Sequence, residues 1–216
     1  MSNKPFNCRG EQCRKDIVRR YNLKLIAHTK LLKNQSKKSC ANVPLTDTYY
    51  TFEYQDKTNQ SNKGSFFCGH VVAKHFMELA NIASIPIFNP LSIESVNNEP
   101  EVATSNEEST SEDDNKKKWN PVAKQLYNAI NLIIVCWNTP IYGKLAKFKS
   151  DLLKYKSSKP YLDRIKFVND VIAKDSKKRT LTQMLEDLRV QNPTLKHFDF
   201  QLLFEELKAT DVESKF

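Results

Sequence analysis

Glycine is scarce in this sequence, and its scarcity excludes two large classes of nucleotide-binding protein. The 216 residues include only four glycines, at positions 10, 64, 69 and 143. Neither the GxGxxG fingerprint of dinucleotide-binding folds nor the GxxxxGK loop that cradles phosphates can be assembled from glycines spaced so widely. The sequence therefore predicts neither a Rossmann fold nor a P-loop fold.

Long apolar runs are missing as well. The longest, Leu132–Trp137, is far shorter than the roughly 20 residues that span a bilayer. Met1–Arg20 is polar and basic, without the apolar core of a secretory signal. We therefore expect a cytoplasmic protein with no membrane partner. In that reducing compartment an odd number of cysteines, five here, favours metal binding or thiol chemistry over disulfides.

Charge divides the chain into three parts. The formal net charge is +9, with Lys and Arg in excess in residues 1–95 and 119–216 and acidic residues in excess in 96–118. The acidic stretch has no apolar periodicity, and its composition cannot repay the entropy of ordering by burial. We predict a zinc-binding α+β domain (1–95), an acidic disordered linker (96–118) and a helical bundle domain (119–216).

The first of these domains shows both helical and strand patterns. A helix is predicted from Lys15 to about Lys33, because apolar positions recur there at three- and four-residue spacing. Thr46–Tyr54 and Ser65–Cys68 are rich in Thr, Tyr and Phe and predict a β-hairpin. Helical spacing returns from Gly69 to about Ile82.

The last domain has only helical patterns. Asn120–Pro121 combines an N-cap side chain with proline at the first helical position, and Thr180 with Gln183 fits a capping box. Five helices are predicted in all, and their short connections favour antiparallel packing. The fold class is therefore α+β: a zinc-stapled β-hairpin with helices, followed by a separate all-α small helical bundle.

Metal-binding residue types are concentrated in the first domain. Structural zinc takes four thiolate or imidazole ligands, usually supplied as two pairs. Cys8 and Cys13 make one pair, and Cys68 and His70 make a second where a strand turns into a helix. The predicted ligands are Cys8, Cys13, Cys68 and His70, and the alternatives for the fourth position are Cys40 and His75.

This order of a two-cysteine segment, a hairpin and a helix resembles a treble-clef zinc finger over residues 8–82. The resemblance implies that Cys8 and Cys13 form the zinc knuckle and that Cys68 is the ligand at the helix start. It also implies a structural zinc ion. The sequence departs from the family in having four residues between the knuckle cysteines, and valines at the two usual positions after Cys68.

Catalysis by cysteine is the weaker interpretation of the same residues. Cys68 at a helix N-terminus would have its thiolate stabilised by the helix dipole, with His70 or His75 as a base. A nucleophilic pair also needs an orienting third group and an oxyanion site, and no pattern points to either. Cys136 lies in an apolar helix and is expected to be a buried hydrophobe. We therefore predict no catalytic residues and a protein that is not an enzyme.

Basic residues crowd the first predicted helix and indicate a polyanion as partner. Beside a zinc unit, such a face suits docking on phosphates; its alternative role is that of a solvated helix face. The predicted nucleic-acid-binding residues are Arg14, Lys15, Arg19, Arg20 and Lys24. Further lysines between Lys144 and Lys159, and Lys177–Arg179, either extend this surface or keep the helical part soluble.

Three functions remain open at this stage. The first is a zinc-binding, non-enzymatic accessory protein that binds nucleic acid. The second is an interaction adaptor whose helical bundle docks a partner protein, and the third is a cysteine-dependent enzyme. The sequence predicts no oligomeric state.

Overall fold

The structure is a computed structural model, and it describes residues 7–92 and 118–216. The predicted linker, 96–118, lies outside the described residues except for Lys118. The elements before it are helix α1 (Glu11–Arg20), strands β1 (Tyr21–Lys30), β2 (Lys37–Lys38), β3 (Pro44–Leu45), β4 (Thr48–Asp56) and β5 (Lys63–Cys68), and helix α2 (His70–Ala80). The elements after it are α3 (Pro121–Cys136), α4 (Gly143–Lys154), α5 (Leu162–Ile172), α6 (Leu181–Gln191) and α7 (Gln201–Lys208). The prediction of a mixed α+β fold is confirmed.

The main sheet is antiparallel and has the strand order β1-β4-β5. Tyr50 of β4 pairs with Cys68 of β5, so the predicted hairpin is present. β4 is the central strand, and its Tyr and Phe side chains and that of Thr51 are buried on both faces of the sheet. β2 and β3 form a separate two-stranded ribbon.

The predicted helix over Lys15–Lys33 is wrong beyond Arg20. The chain leaves α1 at Arg20 and continues at once as β1, which pairs with β4 along its whole length. The register shifts between Leu25 and Ala27, which marks a β-bulge at Ile26. All three residues are buried in succession. The bulge breaks the period of two that identifies a strand, and what remains resembles helical spacing.

The described interior contains two hydrophobic clusters, and the bulge lies where β1 passes from one to the other. Leu25 packs with the aromatic residues of β4, β5 and α2, among them Phe52, Phe66 and Phe76. Ile26 and Ala27 instead belong to the cluster around α3. Side chains of one strand therefore enter both clusters, and residues from both predicted domains share the larger one.

The helical part is organised around α3, whose length is almost wholly buried and which packs against α4, α5, α6 and α7. Its start follows the prediction, because the Asn120 side chain accepts hydrogen bonds from the N–H groups of Val122 and Ala123. The capping box at the start of α6 is also present, with Thr180 and Gln183 bonded reciprocally.

Hydrogen bonds from side chains to backbone carbonyls join residues 7–92 to the helical part, residues 118–216, and donors come from both. The Lys149 Nζ donates to the Ile26 carbonyl at 2.6 Å, and the Lys37 Nζ donates to the Asn138 carbonyl at 3.0 Å. Gln35 Nε2 donates to the Val135 carbonyl at 2.8 Å. These contacts satisfy carbonyl groups at the bulge of β1 and at the end of α3, where the regular ladders stop.

Lys149 is the most deeply placed of these donors. Its side chain is fully buried, and its Nζ lies 5.6 Å from the centre of the Tyr127 ring. Burial lowers the pKa of Lys149 to about 7 because the charged form loses its hydration. The hydrogen bond from the amine to the carbonyl of the bulged residue offsets part of the cost of burying it.

We expect Lys149 to make stability depend on pH between about 7 and the ordinary lysine pKa of 10.5. In that window the unfolded chain binds the proton and the folded protein does not, so the free energy of unfolding rises with pH. The limiting slope is about 1.4 kcal/mol per pH unit. In denaturant unfolding at a series of pH values, the free energy of unfolding of the wild type relative to that of Lys149→Met should rise with pH across this window, because other groups with shifted pKa values, such as Lys37, Cys68 and Cys136, contribute equally to both proteins. Lys147→Met, an exposed lysine on the same helix, is the control, and identical pH profiles for the wild type and Lys149→Met would contradict the expectation.

Candidate functional site

Two of the candidate zinc ligands are joined to each other. Cys8 and Cys40 form a disulfide, with 5.5 Å between their Cα atoms and a sequence separation of 32. The Cys40 N–H donates to the Phe67 carbonyl at 2.7 Å. The disulfide therefore fastens the segment before α1 to the edge of β5. The expectation that metal or thiol chemistry would displace disulfides is wrong for this pair.

The other candidate ligands have separate partners. Cys68 is fully buried, whereas Cys13 is half-buried on α1. The His70 Nδ1 lies 3.2 Å from the Tyr50 hydroxyl, and the His75 Nδ1 accepts a hydrogen bond from Arg14 Nε at 2.6 Å. Within residues 7–92 and 118–216, no group of three or more His, Cys, Asp or Glu side chains is placed to hold a metal ion. Zinc stays a prediction from the sequence, without geometric support in these ranges.

The environment of Cys68 does not favour a nucleophile. Burial raises the pKa of the Cys68 thiol, whereas a reactive cysteine needs a lowered pKa and access to solvent. Burial also raises the pKa of Cys136, to about 12. Both side chains are suited to packing, and the cysteine-dependent enzyme stays a prediction that this geometry does not strengthen.

A thiol count distinguishes the disulfide from a zinc site. We expect three reactive thiols per chain in denaturant without reductant, from Cys13, Cys68 and Cys136, and all five after reduction. Cys40→Ser should lower the free energy of unfolding by about 3–4 kcal/mol, because the unfolded chain regains the freedom of a loop of this length. With reductant present, that difference should disappear. Cys13→Ser is the matched control. Five thiols with one equivalent of zinc before reduction would contradict the disulfide.

The cations predicted to bind nucleic acid on α1 are largely occupied by partners within the chain. Arg14 donates a hydrogen bond to His75, whereas Lys24, which lies on β1, is exposed. The ion pairs are Lys15–Glu11 at 2.6 Å, Arg19–Asp16 at 2.9 Å and Arg20–Asp56 at 3.0 Å. The nearby carboxylates reduce the positive potential that this face could offer to phosphates.

A second basic surface lies along the line where α4 and α5 meet, with a cleft at one end and a cavity at the other, and we call this surface the α4–α5 groove. Lys144, Phe148, Asp151 and Tyr155 recur at three- and four-residue spacing along α4 and its C-terminal end. Facing them along α5 are Tyr161, Arg164, Phe167 and Val171. Asp151 pairs with Arg164 and Lys144 lies over Phe167, so the two helices run antiparallel.

Cationic and aromatic side chains alternate along this groove. The Arg164 guanidinium lies 5.9 Å from the centre of the Tyr161 ring and 5.1 Å from that of Phe148. The Lys144 Nζ lies 5.5 Å from the Phe148 ring and 4.4 Å from the Phe167 ring. The two phenyl rings meet edge to face at 5.2 Å. These contacts hold long, flexible cations in one row.

The rim of the groove keeps both aromatic and charged groups in solvent. Tyr161 is 77% exposed and Tyr155 is 53% exposed, and together they border a cleft of about 250 Å³. Lys147 and Lys154 are exposed on α4, and neither forms an ion pair with another residue that the structure describes. Exposed aromatic rings beside unneutralised lysines are typical of surfaces that bind polyanions containing flat rings.

The groove opens at its other end into a larger cavity of about 720 Å³ at the turn between α3 and α4. Trp137, Phe167 and Val171 form apolar wall, and the exposed Tyr142 lies at the edge. The charged residues that line the cavity are Lys144, Lys174, Asp175 and Arg179. Three of the four are cations.

Asp175 does not act as a free carboxylate in this cavity. It accepts hydrogen bonds from Arg179 at 3.0 and 3.1 Å and from Trp137 Nε1 at 3.2 Å. The backbone N–H groups of Lys177 and Arg179 also donate to it. The Arg179 guanidinium holds the pKa of this carboxyl well below its usual range. Asp175 therefore fixes the position of the indole and guanidinium and has little capacity left for a ligand.

The sequence contains a pattern that indicates this groove and that a count of lysines does not reveal. Composition predicts a basic run between Lys144 and Lys159, but it does not reveal that the aromatic residues Phe148 and Tyr155 lie within that run. Phe148 and Tyr155 lie beside lysines of α4, and Phe167 of α5 lies beside Lys144. A search for alternating aromatic and basic residues at helical spacing would have found the surface.

The fold and this surface together define a mixed α+β protein with a basic, aromatic-lined groove. The chain belongs to the family described as Uncharacterised conserved protein UCP028583, which matches residues 6–213. No curated protein and no solved structure matches the chain.

The resemblance to a treble-clef zinc finger is wrong. The family that matches almost the whole chain is a different one, and the knuckle pair is not formed, because Cys8 is bonded to Cys40. The resemblance rests on the order of a two-cysteine segment, a hairpin and a helix, and that order does not determine how the cysteines pair. The described helices include none that is both long and apolar enough to cross a membrane.

Proposed function

We propose that this protein is a non-enzymatic nucleic-acid-binding protein that holds a single strand along the α4–α5 groove. The observation that carries the proposal is the alternation of aromatic rings and cations from Tyr161 to Lys144. Phosphates would lie against the lysines of the rim, and bases would stack on the exposed tyrosines.

The dimensions of the groove suit a short stretch of strand. From Lys144 to Tyr155 a helix advances roughly 16 Å. At about 3.4 Å per stacked nucleotide, this length accommodates about five nucleotides. The exposed cations support contact with the backbone regardless of sequence, because phosphates carry the charge and are the same at every position.

The exposed rings favour a single strand over a duplex. In a duplex the faces of the bases are stacked on each other, so an aromatic side chain on the protein surface has nothing to stack on. An unpaired strand offers those faces, and each base stacked on an aromatic ring contributes about 1–3 kcal/mol. Tyr155 and Tyr161 would be of little use against duplex phosphates.

We expect Lys147→Glu/Lys154→Glu to weaken binding of a fluorescently labelled 12-nucleotide single strand, measured by anisotropy at several salt concentrations. Removing two phosphate contacts should lower the slope of log affinity against log salt by about 1.4. The matched control is Lys15→Glu/Arg19→Glu on α1, which changes net charge by the same amount. An equal loss in both variants would show that overall charge, and not the groove, governs binding.

We expect Tyr161→Ala to reduce affinity for the same strand by about tenfold, because one stacking platform is lost. Tyr161→Phe keeps the ring and should bind like the wild type. A duplex of the same length should be bound with similar affinity by all three proteins. If Tyr161→Ala also binds the single strand like the wild type, the tyrosine does not stack on a base.

The adaptor remains the alternative. Exposed apolar side chains of the helical part, such as Val190 and Phe204, would then form the docking surface. In that case no variant of the groove would alter capture of the partner protein.

A further inference from the structure

One wall of the cavity at the turn between α3 and α4 is supported by hydrogen bonds from residues that lie far from it in the sequence. The Trp137 N–H donates to the Ile133 carbonyl, which continues the turn of α3. Lys37 and Gln35 donate to the carbonyls of Asn138 and Val135 from outside the helical part. The wall that contains Trp137 is therefore fixed on two sides before any ligand enters.

The lining combines a flat apolar region with cations at one side. Trp137 and Phe167 supply aromatic surface, and Ile141 adds aliphatic surface. Lys174 is exposed and forms no ion pair within the described ranges, and Lys144 is held over Phe167. The one carboxylate of the lining, Asp175, is neutralised by Arg179. The cavity thus suits a ligand that has a planar ring and an anionic group.

We propose that this cavity binds one nucleotide unit, with its base against Trp137 and Phe167 and its phosphate at Lys144 and Lys174. The volume of about 720 Å³ is within the range of small-molecule sites. Thr139 and Ser176, whose hydroxyls line the same space, are available to the edge of the base. This nucleotide could be a free mononucleotide or the end of a strand that lies in the α4–α5 groove. Only binding of a strand end rests on the proposed function.

The cavity is continuous with the α4–α5 groove, so the last base of a strand in the groove would lie in the cavity without a neighbouring base to stack on. Lys144 lines the cavity and also contacts Phe148 in the groove. A strand that follows the row of cations therefore reaches the cavity without leaving positive surface. At that point Trp137 and Phe167 replace the neighbouring base as stacking partners.

Trp137 provides the readout, because the chain has only one other tryptophan, Trp119. In a Trp119→Phe background, adenosine 5′-monophosphate should quench the remaining indole fluorescence in a saturable manner. Adenosine should bind more weakly, and inorganic phosphate should leave the emission unchanged. Lys174→Gln should weaken the nucleotide about three- to fivefold. Lys177→Gln, which removes a neighbouring lysine that does not line the cavity, should have no effect.

The arms of this experiment separate the two proposals. Quenching by the mononucleotide that depends on Lys174 supports the cavity, whether or not a 12-nucleotide strand binds. Loss of strand binding in Lys174→Gln as well identifies the strand as a source of the nucleotide. Strand binding that depends on Lys147 and Lys154, together with no response of Trp137 to mononucleotide or strand, overturns the cavity proposal and leaves the groove proposal intact. Equal quenching by the mononucleotide in Lys174→Gln and in the wild type also overturns the cavity proposal.

Discussion

The hydrogen bond from the buried Lys149 amine to the carbonyl of Ile26 is the most deeply buried of the side-chain hydrogen bonds that join residues 7–92 to the helical part. The bulge at Ile26 sends one part of β1 into the sheet's own cluster and the next into the cluster around α3. A bulge leaves a backbone carbonyl without its ladder partner, and an unsatisfied carbonyl in an apolar interior is costly. Lys149 satisfies it from α4, which also carries one wall of the groove. The position of the candidate site is thereby linked to an irregularity in a distant strand.

Local signals in the sequence were sufficient for much of the fold. The hairpin of β4 and β5, the cap at Asn120 and the capping box at Thr180 were all predicted, because each depends on residues close together in the chain. The mixed α+β class follows from them. These features share one property: the residues that determine them are neighbours in sequence, so no tertiary information is needed.

The features that were missed depend on tertiary contacts. The strand β1 was predicted as helix because its bulge removes the period of two, and only its pairing with β4 identifies it. The disulfide of Cys8 and Cys40 requires the two residues to meet across 32 positions, which spacing does not reveal. For the candidate site, composition located the basic residues but not their ion pairs. The α1 cations and the α4 lysines are equally basic in sequence and differ only in which carboxylates lie beside them.

The contact between Lys37 and the backbone at Asn138 has a consequence for how the family can vary. Asn138 has a positive φ of 51°, a conformation that asparagine tolerates better than most residues. Its carbonyl receives the Lys37 ammonium from a position 101 residues earlier. Because the acceptor is a backbone carbonyl, any residue that tolerates this positive φ can supply it, whereas the donor is the side chain of residue 37 itself. Position 138 can therefore vary among residues that tolerate a positive φ without losing this link between the ribbon of β2 and β3 and the end of α3, whereas a change of Lys37 removes it.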